Sequence, residues 1–121
     1  MMRAISAAVL AAVAAAQTDP LVSGLEAFHR GDYVVAEREF RSSLKQNPGV
    51  RARVFLALTL AATNRCAEAE RDLRSALESA PGETPRLAGI ALAQCCLTGN
   101  RLEEAAAVVA KLKTRYPDDA D

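Results

Sequence analysis

Residues 31–48 read GDYVVAEREFRSSLKQNP, residues 64–81 read NRCAEAERDLRSALESAP, and residues 100–117 read NRLEEAAAVVAKLKTRYP. The three stretches share one spacing. Each opens on a turn triplet (Gly31-Asp32-Tyr33, Asn64-Arg65-Cys66, Asn100-Arg101-Leu102) and closes on Pro48, Pro81 or Pro117, with the prolines 33 and 36 residues apart. Three residues past each triplet stands an alanine (Ala36, Ala69, Ala105), and four further on a large apolar residue (Phe40, Leu73, Val109). Ser43, Ala76 and Leu112 follow three residues later. A period of 33–36 residues marks a repeat protein, and it decides the fold before any single helix is assigned.

Within each copy the spacing is helical. Tyr33, Ala36, Phe40, Ser43 and Leu44 recur at intervals of three and four, which places them on one face of an α-helix. Glu37 with Arg41 and Glu70 with Arg74 stand four apart in the favourable order on the outer side. Upstream, Val54, Phe55, Leu56, Leu58 and Leu60 make a helix apolar around most of its girth, which must be covered on several sides. Gly31, Asn64 and Gly99 suit the left-handed residue that ends a helix, and Asp32 can cap the next one. Each proline then disfavours helical geometry in the residue before it. Nothing alternates with period two, so the fold class is all-α.

This helix–turn–helix unit of about 34 residues, with small residues at fixed crossings and a closing proline, resembles the tetratricopeptide repeat. The resemblance spans three repeats, approximately 17–49, 50–83 and 86–119, and implies a short right-handed superhelix of stacked helix pairs. It rests on Gly24, Ala36, Phe40, Leu44 and Pro48 in the first copy. Leu56-Ala57, Leu60, Ala69, Ala76-Leu77 and Pro81 carry it in the second, and Leu92-Ala93, Ala105 and Pro117 in the third. Gly24, Ala57 and Ala93 are small where the helices of a pair approach, facing Ala36, Ala69 and Ala105. Departures are Pro20, Arg53 and Gly89, where the family carries a large aromatic, and Leu112 in place of a small residue.

The resemblance implies a concave face lined by the first helix of each pair, a peptide-binding surface in the family. It maps onto Leu21, Leu25, Phe28 and His29, then Arg51, Val54, Leu58, Ala61 and Ala62, then Leu87, Ile90, Gln94 and Leu97. Chaperone-docking members hold a carboxylate with Lys and Asn where this chain has Leu21 and Leu25, so that subclass does not fit. A mostly apolar groove suits an amphipathic helix or apolar peptide of another protein. The other reading is that the strip is covered by a neighbouring copy, another subunit or an added helix. Family solenoids commonly finish with a covering helix, whereas here five residues follow Tyr116. Ala106, Val109 and Lys113 are therefore expected at an uncovered edge, where a homodimer or a larger partner would dock.

Fifteen basic and fifteen acidic residues give no net charge, and five aromatics are too few for base stacking, so a nucleic-acid partner is not expected. Residues 1–16, MMRAISAAVLAAVAAA, carry one charge at Arg3, a short apolar run and a small-residue end. That is the pattern of a secretory signal cut after Ala16, which leaves no stable membrane anchor and a periplasmic or secreted chain. His29 is the sole histidine and no nucleophile setting accompanies it, so no enzyme activity, metal or cofactor is expected. Cys95 and Cys96 are adjacent on a helix and diverge by about 100°, which suits one common ion poorly. Two readings of the cysteines stand: a Cys66–Cys96 bridge, with Cys95 nearly as close, or three small buried thiols. A bridge admits a thiol redox accessory role.

Overall fold

The computed structural model describes residues 19–117; the expected signal at residues 1–16 lies outside them. Six helices follow in antiparallel pairs: α1 (Pro20–Arg30), α2 (Tyr33–Gln46), α3 (Val50–Ala62), α4 (Cys66–Leu77), α5 (Glu83–Thr98) and α6 (Leu102–Arg115). There is no strand among the described residues. The three pairs stack as a short right-handed superhelix. The third begins at Glu83, three residues before the boundary expected at 86, because Pro85 sits within the first turn, where its missing N–H has no bond to lose.

Local chemistry starts and stops the helices. The Asp19 carboxylate accepts from the Leu21 N–H at 3.0 Å, and that of Asp32 from the Val35 N–H at 3.3 Å. Left-handed residues turn each pair at Gly31 (φ 79°), Asn64 (φ 63°) and Asn100 (φ 58°). The third is a correction: Gly99, expected to hold that conformation, has φ −82°. Repeat register explains it, since Asn100 and not Gly99 heads the triplet equivalent to Gly31 and Asn64. Asparagine tolerates the left-handed region better than most residues do.

Eight residues of α3 are buried (Ala52 and 54–60), as its apolar girth requires. Thr59, the one hydroxyl among them, satisfies itself by donating to the Phe55 carbonyl at 2.7 Å. The family-type small residues lie in the core: Ala36 and Ala69 are fully covered, and Ala57, Ala93 and Ala105 nearly so. At the first crossing a Cβ on Gly24 would sit 2.6 Å from the ring of Phe40, itself fully buried. Two departures explain each other. A Cβ on Gly89 would meet Leu112 at 2.5 Å and Leu77 at 2.8 Å, so the unusually large Leu112 fills the space that Gly89 leaves.

Packing is asymmetric. The first helices α1, α3 and α5 touch along the stack, α2 and α4 each pack between two first helices, α6 packs on α5, and the backbones of α2, α4 and α6 stay apart from one another. The side lined by α1, α3 and α5 is therefore the shorter, concave one.

Candidate functional site

On the concave side a cleft of about 520 Å³ opens between α3 and α5. Leu58, Ala61 and Ala62 form one wall, Leu87, Ile90, Ala91, Gln94 and Thr98 the other, with Phe28 closing the end nearest α1. Leu58 is buried, whereas Phe28, Leu87, Ile90 and Ala91 are only half-buried, so apolar surface stays open to an occupant. Phe28 is held by edge-on ring contacts with Phe55, Tyr33 and His29 at centroid separations of 5.4, 5.8 and 5.9 Å. Gln94, Asn64 and Thr98 supply a polar rim.

The structure brings seven of the thirteen sequence-expected groove residues into this cleft: Phe28, Leu58, Ala61, Ala62, Leu87, Ile90 and Gln94. The others lie elsewhere. Arg51 and Val54 line a separate cleft of about 580 Å³ with Arg53, Asp72, Ser75, Ser79, Thr84 and Pro85, because they sit at the opposite end of α3. Leu97 lines an outer depression between α5 and α6 instead, since it is turned away from the Leu87–Ala91–Thr98 face. Leu21 and Leu25 are half-buried against the common core, and His29 is exposed beside Phe28. Ala91 and Thr98 were not expected in the groove, although both stand at helical intervals from Leu87.

The floor near Asn64 is formed by two cysteines. Cys66, at the start of α4, and Cys95 are bridged, with Cα atoms 5.6 Å apart, and both line the cleft. The expected Cys96 is not the partner. It follows Ala88 and Leu92 at four-residue intervals and is fully buried among the core side chains, while Cys95, one residue round the helix, turns towards the cleft.

The outer side is held by charge. Glu37 accepts from Arg41 at 3.0 Å and also pairs with Arg65 of the next turn. Glu70 repeats this with Arg74 at 2.8 Å and a two-pronged contact from Arg101 at 2.6 and 2.9 Å. Those guanidinium groups, Arg101 foremost, hold the Glu70 carboxyl down to about 2, and Arg65 lowers that of Glu37. Glu104 ties Arg74 and Arg101 at 2.9 and 3.1 Å, and Lys111 pairs with Glu78. Of these contacts, sequence spacing alone marks Glu37–Arg41 and Glu70–Arg74, four apart on one helix.

Two tetratricopeptide repeat family models match the chain, over residues 21–84 and 60–121. The chain belongs to the tetratricopeptide repeat family. Tetratricopeptide repeats are non-catalytic scaffolds that mediate protein–protein interaction, and the helix pairs above are three such repeats. Searches of curated proteins and of solved structures found no significant match. Among the described residues no helix is long and apolar enough to cross a membrane.

Proposed function

We propose that the protein docks an amphipathic helix or apolar peptide of a partner protein in the cleft between α3 and α5. The observation that carries this reading is the half-buried strip of Phe28, Leu87, Ile90 and Ala91 around a concave opening of about 520 Å³. That volume falls in the ~300–1,000 Å³ range of ligand clefts. A helix would present anchors at i, i+3 or i+4 and i+7 to that strip and leave its polar face to Gln94 and Thr98.

Selection from a displayed library of helix-forming peptides tests it. Enriched peptides are expected to carry that apolar spacing and to lose at least tenfold in affinity for Ile90→Asp at unchanged helicity. Arg53→Asp, in the other cleft, is expected to leave affinity intact. Peptides that bind Ile90→Asp as well as the parent would overturn the reading.

Export through residues 1–16 to the periplasm or the exterior fits the same picture, since an oxidising compartment preserves a Cys66–Cys95 bridge. A second reading is self-association through the outer face of α6, favoured by Leu97 and Leu102, both more than half exposed there.

A further inference from the structure

Resting on that second reading, we propose that two copies of the chain pair two-fold, α6 against α6, and not head to tail. Both junctions between repeats carry one latch: the fifth residue of a second helix is a glutamate (Glu37, Glu70), and the residue just before the next second helix is an arginine (Arg65, Arg101). The first and last second helices among the described residues lack its halves. The fifth residue of α6 is Ala106, and the residue before α2 is Asp32. A first repeat stacked onto α6 in the repeat register would bring an aspartate to an alanine. Ala110 likewise replaces the arginine that supports the glutamate at Arg41 and Arg74. Continuation of the stack by another copy is therefore without either half of the contact that holds each internal junction.

What the face offers instead is apolar and self-complementary. Leu97, Leu102 and Val109 are 55, 61 and 38% exposed around a shallow depression of about 460 Å³, with Ala106 and Ala110 letting a second backbone come close. Glu103 in the first turn of α6 and Lys113 in the last are exposed, and neither has an ion-pair partner among the described residues. With a two-fold axis between Ala106 and Val109, an antiparallel α6 sets Ala106 against Val109 of the other copy. The aliphatic stem of Lys113 then covers Leu102, and its ammonium reaches Glu103. Symmetry makes each contact twice. No other helix face among the described residues needs to change for this pairing, and the concave cleft stays open.

Sedimentation velocity of the full chain over a concentration series tests the inference. A reversible monomer–dimer equilibrium that stops at two is expected. Val109→Asp should abolish it with helicity unchanged, and Leu97→Ser, on the neighbouring helix, serves if that variant does not fold. Glu103→Lys and Lys113→Glu should each weaken association at least threefold, and the double variant should return to within twofold of the parent. Growth beyond two, or a dimer indifferent to the apolar substitutions, overturns two-fold pairing through this face. Single charge reversals without recovery in the double variant overturn the antiparallel register. A monomer throughout overturns self-association itself and leaves the peptide cleft untouched.

Discussion

Along the concave side α1, α3 and α5 touch through apolar surface, whereas on the outer side the backbones of α2, α4 and α6 stay apart and long charged side chains span the gap. The two seams divide the work. Apolar burial is short-ranged and is not weakened by charge screening, so the inner seam sets the curvature and the shape of the cleft. Ion pairs reach further and respond to pH and ionic strength, so the outer seam adjusts how firmly the repeats are held without reshaping the concave face.

The largest effect expected from disturbing this division is on the inner side. Cys66→Ser opens a bridge between residues 29 apart and is expected to cost about 2–4 kcal/mol in denaturant unfolding. An unchanged midpoint would mean that the bridge does not form in solution. Ala69→Leu should come next. Ala69 is fully buried at a helix crossing, and overpacking there is expected to cost about 1–3 kcal/mol, read as a lower melting temperature.

Outer-seam changes should be smaller and conditional. Glu70→Gln is expected to cost at most about 1 kcal/mol at neutral pH and low salt, because Arg74 and Arg101 are 45 and 35% exposed and water screens the pairs. The sign with pH follows from a folded value of about 2 against an ordinary 4.5: the contribution is complete above the ordinary value and drains away as pH falls towards 2. Parent and variant melting temperatures should therefore converge on acidification, and also in 1 M salt. Glu37→Gln should shift the melting temperature less than Glu70→Gln does, since Arg65 reaches Glu37 through one nitrogen and Arg101 reaches Glu70 through two.

Repetition made the fold legible: three copies of one spacing report helix faces, turns and small crossings through purely local rules. The latches were not legible, because Arg65 and Arg101 find their carboxylates about thirty residues away and their reach depends on how repeats stack. The same limit governed the groove. A helical wheel puts Arg51, Val54 and Leu58 on one face of α3, but where the neighbouring helices end decides that Leu58 lines the concave cleft and the other two a different one. Cys95 and Cys96 differ by one step of the helix, and only the packed position of α5 against α4 chooses between them. Gly89 and Leu112 looked like separate departures until their side-by-side placement made them one compensated change.

The docking claim is tested most directly by amide chemical-shift mapping of the chain titrated with a peptide from the helix-forming library. The account predicts shifts concentrated at Phe28, Ala61, Leu87, Ile90, Ala91 and Gln94, with Arg51, Arg53 and Pro85's neighbours still. Shifts gathered around Arg53 and Thr84, or along α6, would contradict it.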